Sequence, residues 1–281
     1  MNSIPMFNKL GLVLKDDGIW YSDNESHFSY PDEVLDNCNE VEDSFFWFRH
    51  RNKVIASAVD KFPPIENTIY DIGGGNGNVS LFLMKRGYEV VLIEPSLIGV
   101  KNAKENGEKN IICAIIEDIN LQKNFLPAVG LFDVLEHIEN DEGFLRKLYH
   151  LMKNGGRLYV TVPAYNSLYS GSDKFAGHFR RYSKYSLQKK MIDAGFKIDF
   201  STYFFKFMPP IIFLLRTIPY KLGFTKKKRI SKGRFIKQIK WFSEKVRFIN
   251  FFIIGEISRI DKNKPMKFGG SCLIVARKWE N

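Results

Sequence analysis

Thr68-Ile-Tyr-Asp-Ile-Gly-Gly-Gly-Asn-Gly-Asn-Val-Ser80 runs from short apolar residues through Asp71 into glycines at 73, 74, 75 and 77, and then into helix-forming residues up to Leu83. The stretch reads as a strand, a tight turn and the start of a helix. Glycine tolerates positive φ and lets a ligand approach the backbone with no Cβ in the way. A helix N-terminus adds unpaired N–H groups and a positive dipole end, which suit a carboxylate or phosphate. The phase of the glycines narrows the ligand. A dinucleotide fingerprint needs G-x-G-x-x-G, and after Gly73 and Gly75 its third place falls on Asn78. The alternative spacing, Asp71-x-Gly73-x-Gly75-x-Gly77, is complete.

Working outward, Glu89-Val-Val-Leu-Ile-Glu94 reads as a second buried strand ending in an acid, and Glu94 lies 21 residues beyond Gly73. An offset of about 20 residues is where a carboxylate meets a ribose diol, since two neighbouring hydroxyls can both donate to it. Asn110 to Asp118 reads as a third strand tipped by Glu117 and Asp118, and Ala128 to Asp133 as a fourth, running into Val134-Leu-Glu-His137-Ile138. A helix from Gly143 to Met152, the turn Lys153-Asn-Gly-Gly156 and a fifth strand, Leu158 to Pro163, follow. Strands alternating with helical patterns predict a parallel sheet covered on both faces. Ligands then sit beyond the carboxyl ends of the strands, where loops 72–77, 94–96, 117–119, 132–137 and 163–182 converge.

These motifs carry a resemblance. Asp71-x-Gly73-x-Gly75-x-Gly77 resembles motif I of the class I S-adenosylmethionine-dependent methyltransferases. Leu131-Phe-Asp-Val-Leu-Glu-His-Ile138, Lys153-Asn-Gly-Gly156 and Val162-Pro-Ala-Tyr165 with Asp173 and Gly177-His-Phe-Arg-Arg-Tyr182 resemble a subfamily often encoded beside polysaccharide or glycolipid genes. The likeness spans about residues 40 to 205. It implies an α/β, Rossmann-like sheet of seven strands, mostly parallel, with helices on both faces and the last strand antiparallel between the fifth and sixth. It also implies S-adenosyl-L-methionine as cofactor, held around Asp71, Gly73, Gly75, Asn76, Gly77, Glu94, Glu117, Asp118, Ile119 and Phe132. The acid after the third strand would meet the adenine amino group. Many relatives have Cys where this chain has Gly74, a departure expected to be harmless.

Methyl transfer from a sulfonium is an in-line displacement that proximity and orientation accelerate, with a base for oxygen acceptors. His137, after the fourth strand, is a candidate base, and Asp133 a candidate anchor for the acceptor. Each also has a structural reading, as a packing histidine and a loop anchor; Glu136 reads as structural. Tyr165, His178, Arg180, Arg181 and Tyr182 are candidates for binding the acceptor, since guanidinium pairs favour phosphate or carboxylate. Pairing of the arginines with Asp173, to order the loop, is the alternative. In the helix expected over Glu40 to Phe62, the run Phe45-Phe-Trp-Phe-Arg-His-Arg51 suggests core residues, with Trp47 or Arg51 closing over the cofactor. No metal is expected.

Three domains are expected: an N-terminal extension with a helical cover (1–64), the Rossmann-like core (65–207 and 268–281) and a basic amphipathic insertion (208–267). The sixth and last strands read as Gly195–Tyr203 and Gly270–Arg277. The three cysteines are scattered, with no C-x-x-C, and suggest neither disulfides nor zinc. Met1 to Lys9 holds no long apolar run, so no signal peptide is expected. The net charge of +11 is uneven: residues 204–281 carry 19 Lys/Arg against 4 Asp/Glu, whereas the rest is slightly acidic. Phe204 to Leu215 is apolar but for Lys206 and too short to span a bilayer. Phe235, Ile239, Phe242, Val246, Ile249 and Ile253 form one apolar stripe, fitting core, a homodimer seam or, with the lysines around it, an anionic membrane contacted through 204–258. No nucleic-acid reader motif accompanies the bases. The expectation is a cytoplasmic enzyme, peripheral to the inner membrane face in its membrane-bound version, that methylates a small-molecule, sugar or lipid-linked acceptor. The rivals are a catalytically idle cofactor-binding or membrane-associated scaffold and a nicotinamide-dependent oxidoreductase.

Overall fold

The structure is a computed structural model and describes residues 7–22, 35, 39, 42, 45–224 and 249–279. Its elements in chain order are β1 (Leu12–Leu14), β2 (Trp20–Ser22), α1 (Phe46–Lys61), β3 (Thr68–Ile72), α2 (Asn78–Met84), β4 (Glu89–Ile93), α3 (Leu97–Glu105), β5 (Ile111–Cys113), β6 (Leu126–Phe132), α4 (Asp141–Leu151), β7 (Met152–Pro163), α5 (Gly171–Phe175), α6 (Lys184–Asp193), β8 (Phe196–Phe204), α7 (Met208–Ile212), α8 (Ile218–Lys221), α9 (Ile249–Asp261) and β9 (Ser271–Lys278). They form one sheet in the order β1-β2-β5-β4-β3-β6-β7-β9-β8.

From β5 to β7 the neighbours run parallel, and β9 enters antiparallel between β7 and β8, as expected of the seventh strand. The expected count of seven is corrected to nine. A hairpin from the N-terminal extension adds β1 and β2 to the open edge, Trp20 pairing with Ile112 and Tyr21 with Cys113. The short β5 would otherwise leave an exposed sheet edge, and covering it satisfies backbone groups and blocks edge pairing. Three-residue strands leave too little periodicity to be seen in a sequence.

Boundaries moved for local reasons. Phe45 is extended (φ −79°, ψ 125°), so α1 starts at Phe46 rather than in the acidic stretch before it. β5 stops at Cys113, and Glu117 and Asp118 fall in a 3-10 turn over Ile116–Asp118. β7 begins at Met152, because the turn before the expected fifth strand is itself drawn into the sheet beside β6, across a register shift.

Every residue of β6 is buried, and β7 is buried over Leu158–Val162, as suits central strands covered on both faces. The turn after β3 lies where the chain reverses its direction of travel across the sheet, between β3 and β6. α9 packs on α1, through Ser57 to Asp261 and through His50 Nε2, 2.9 Å from Glu256 Oε2. Glu256 also accepts from the N–H groups of Phe205 and Lys206, so one buried carboxylate joins α1, α9 and the end of β8. Of the proposed apolar stripe, Phe235, Ile239, Phe242 and Val246 lie outside the described residues, as do Lys226 to Arg229.

Candidate functional site

The glycine turn forms as its spacing requires. Gly73, Gly75 and Gly77 all have positive φ. Gly77 (φ 75°) also opens α2, and a Cβ on it would come within 3.1 Å of the Ala103 methyl. Gly74 is less neutral than expected. A Cβ there would meet Leu92 at 2.2 Å and the Asp71 carboxylate at 2.8 Å, so a larger residue needs Leu92 to shift.

Glu94 braces this turn. Its two oxygens accept from the N–H groups of Gly75 (2.9 Å) and Ser96 (2.8 Å), tying the loops after β3 and β4 together. Asn76 is buried and staples the turn to the N-terminal segment: its Nδ2 donates to Leu35 O and Glu42 Oε1, and its Oδ1 accepts from Asn102. Among the acids after β5, Glu117 is exposed, with Lys147 at 3.9 Å, whereas Asp118 is half-buried on the 3-10 turn. Ile119 and Phe132 are buried in the core.

Asp71 is fully buried and accepts from Ser80 Oγ at 2.7 Å. Burial raises its pKa to about 6, against the opposing pull of Ser80 and Arg51. Its Oδ1 has no hydrogen-bond partner among the described residues, and the same holds for Arg51 Nε. Arg51 lies on α1, over the Trp47 and Phe48 rings, and donates through Nη1 to Asp133 Oδ2 at 2.8 Å. Asp133 follows β6 with φ 62° and also accepts from Thr161 Oγ1. An α-ammonium and an α-carboxylate are what an unpaired carboxylate oxygen and an unpaired guanidinium N–H beside a glycine turn would take. Asp71 and Arg51 therefore fit the amino acid end of S-adenosylmethionine, and Arg51 is the member that sequence reasoning offered only as an alternative. Its signal was a base inside an aromatic run of a helix.

On the acceptor side, His137 and His178 meet edge to face, with ring centroids 4.7 Å apart. His137 is largely buried, and burial together with His178 lowers its pKa to about 3, so it is neutral near pH 7. His178 Nδ1 lies 3.1 Å from Asp173 Oδ1, an arrangement that fixes Nδ1 as donor and leaves Nε2 as the accepting nitrogen. Asp173 is held well below the usual carboxylate range by His178 and Arg181, against the effect of its burial. Glu136 is buried with its pKa raised, first by desolvation and then by Asp133, and its Oε2 is unpartnered among the described residues. Glu136, His137 and His178 bring one ligand atom each within 4.8 Å of one another, which gives them the means to share a divalent cation.

The arginines divide. Arg181 is buried and donates through Nε to Asp173 at 2.7 Å, which is the loop-ordering arrangement. Arg180 donates to the carbonyls of Ile138 and Glu139 and pairs with Asp141 at 3.0 Å. Tyr182 is buried with its hydroxyl on Leu135 O and Asp141. Tyr165 has φ 59° and stacks on Tyr203, centroids 5.1 Å apart, and beside Phe268. Tyr165, Arg180, Arg181 and Tyr182 line one cleft of about 380 Å³. The structure thus brings His137, His178 and Asp173 together, and turns Arg181 and Tyr182 inward.

A doubly wound sheet with an antiparallel β9, a glycine turn at the switch point and a braced acid after β4 defines the methyltransferase fold. Residues 70–160 match the family model of the methyltransferase domain. Over these residues the chain is similar to S-adenosylmethionine-dependent methyltransferases. It is 31% identical over 103 residues to the mitochondrial ubiquinone biosynthesis O-methyltransferase of Rattus norvegicus, a match covering 34% of this chain and 30% of that protein. It is 30% identical over 107 residues to the ubiquinone biosynthesis O-methyltransferase of Rickettsia canadensis, covering 36% and 45%. The chain thus spans less than half the length of these relatives. Among solved structures, Haemonchus contortus phosphoethanolamine N-methyltransferase 2 in complex with S-adenosyl-L-methionine aligns with TM-score 0.57 at 14% identity, over 90% of this chain and 58% of that one. The cyclase SpnF aligns with the same TM-score at 15% identity, over 91% and 100%. These structures share the fold.

Proposed function

We propose that this chain transfers a methyl group from S-adenosylmethionine to a hydroxyl of a small acceptor. The observation that carries the reading is the Asp173–His178–His137 group at the carboxyl edge of the sheet, where Val134, three residues before His137, lies against Gly73 of the glycine turn. When bound, the cofactor supplies an electrophilic methyl group on sulfur. Asp71 and Arg51 hold its amino acid end, Glu94 keeps the turn in shape and faces the ribose, and Asp118 faces the adenine. Asp133, fixed by Arg51 and Thr161, anchors the acceptor. His178 takes the acceptor's proton at Nε2, with Asp173 stabilising the imidazolium that results. His137, neutral, accepts a hydrogen bond and orients the acceptor rather than acting as base, since a pKa near 3 makes it a weak one.

The acceptor is a sugar or a lipid-linked glycan precursor. The Tyr165–Tyr203 stack beside Phe268 offers a flat wall for a ring, and Arg180 in the cleft lining offers positive charge to a phosphate. The same reading has the chain act in the cytoplasm against the inner membrane face. Two of the named relatives are O-methyltransferases, which supports oxygen as the acceptor atom.

Calorimetric titration with S-adenosylhomocysteine, with NADH as comparison, tests the cofactor. Binding of the first alone is expected, and binding of NADH alone overturns the reading. Formation of S-adenosylhomocysteine with a hydroxylated sugar phosphate or lipid-linked glycan then separates an enzyme from an idle scaffold, which would bind the cofactor and never consume it.

A further inference from the structure

Between β8 and α9 the chain presents apolar side chains to solvent. Phe213, Leu214, Leu215, Leu222 and Phe224 are exposed, the two central leucines at 60% and 68%. A contiguous apolar surface is unusual on a soluble molecule and marks a contact. Its inner side is well anchored: Ile212 and Thr217 are buried, and Thr217 Oγ1 donates to Leu168 O at 3.0 Å. The outward apolar face is therefore set by packing beneath it.

Charge says what covers this face. From Phe200 to Ser243 the sequence holds eleven lysines and arginines and no acid. Lys206 and Lys221 are exposed around the apolar residues, whereas the Arg216 guanidinium turns inward toward Asp173 and Arg181. A second copy meeting this face across a two-fold axis would set like charges against one another. Nucleic acid would match the charge and leave the leucines and phenylalanines unused. An anionic bilayer matches both, with apolar groups at the acyl boundary and bases at the headgroups. No helix among the described residues is long and apolar enough to cross a membrane, so the contact is interfacial.

We infer that residues 206–224 form a docking surface for an anionic lipid bilayer. The surface also bears on the acceptor side. The π-helical turn Phe213–Thr217 packs against α5, whose Asp173 holds His178, and α5 ends in the exposed Phe175. Docking sets the loop of the proposed base beside the lipid, where an acceptor on a lipid anchor would be presented. This deepens the membrane-face reading of the function and rests on it, while cofactor binding and turnover of a water-soluble acceptor are measured separately.

The test is sedimentation of the full chain with vesicles of phosphatidylglycerol and phosphatidylcholine, against pure phosphatidylcholine. Binding to the anionic vesicles, weakened by added salt, is expected. Leu214→Glu/Leu215→Glu should lower partitioning by about tenfold or more, Lys221→Glu should lower it less, and Ile65→Glu, an exposed apolar residue elsewhere, should leave it unchanged. Unaltered S-adenosylhomocysteine binding shows that the variants fold. Absence of binding to anionic vesicles, equal binding by the double variant, or a solution dimer that the double variant dissociates would each overturn the proposal. Docking without methyl transfer would overturn the reaction and leave the surface standing.

Discussion

The acids Asp71 and Glu94 brace the loops after β3 and β4 through partners near in sequence, although Asn76 also ties that turn to Leu35 and Glu42, whereas Asp133 after β6 and the end of β8 are held by partners far along the chain. On the cofactor side, Asp71 meets Ser80 nine residues on, Glu94 meets Ser96 at two and Gly75 at nineteen. On the acceptor side, Asp133 takes its partner from Arg51, 82 residues away, Tyr182 reaches back 47 residues to Leu135, and the end of β8 is pinned by Glu256, 51 residues from Phe205. Local closure depends on backbone conformations that residue type constrains directly. Distant closure depends on which elements the fold happens to set side by side. The first is a recurring device that a sequence motif can encode, and the second is where one domain's specificity can differ from another's.

The largest effect that can test this contrast is on chemistry. His178→Gln should lower kcat by about a hundredfold or more, with the affinity for S-adenosylhomocysteine unchanged. An equal loss in both would mean that the two sides are one unit. Next in size, Arg181→Ala removes the guanidinium that pairs with the buried Asp173, leaving the carboxylate its hydrogen bonds to Ser170 and His178. Denaturant unfolding should show a loss of about 3 kcal/mol, and unaltered stability with lost acceptor binding would return Arg181 to the acceptor. Glu94→Gln removes a charged acceptor from two N–H groups of the turn. Cofactor affinity should fall about tenfold, read by calorimetry, with kcat at saturation preserved.

The smallest effect is in pH. Asp71 has a native pKa of about 6 against an ordinary 3.8, so the folded state keeps this proton to higher pH than the unfolded state. The stability that goes with it is present below about pH 4 and is lost as pH rises through 6. Unfolding of Asp71→Asn, measured from pH 4 to 7, should fall off less than that of wild type. Parallel profiles would show that the carboxylate is satisfied by groups other than Ser80.

Gly73 to Gly77 and the alternation of strands and helices from β3 to β7 were legible because positive φ and hydrophobic period leave marks in the residues themselves, whereas the antiparallel β9 was implied by the family resemblance. The hairpin on β5 was not, because three-residue strands carry almost no period and their stability comes from the edge they cover. The offset singled out Glu94 as a ribose ligand, and its bonds to Gly75 and Ser96 show it bracing the turn. Glu117 and Asp118 were indistinguishable as neighbours until the 3-10 turn sent one to solvent and kept the other half-buried.

By itself, the sequence determined the glycine phase, the acids Glu94 and Asp133 that follow β4 and β6, and a basic, apolar stretch before the last strand, because backbone freedom, strand periodicity and charge are properties of residues in order. Only the tertiary structure decided that Arg51 crosses to Asp133, that Asp173 orients His178 and that Arg181 turns inward. Those roles depend on burial and on partners brought together by packing. A side chain's protonation and its availability to a ligand are set by its surroundings, and the surroundings of these residues come from other parts of the chain.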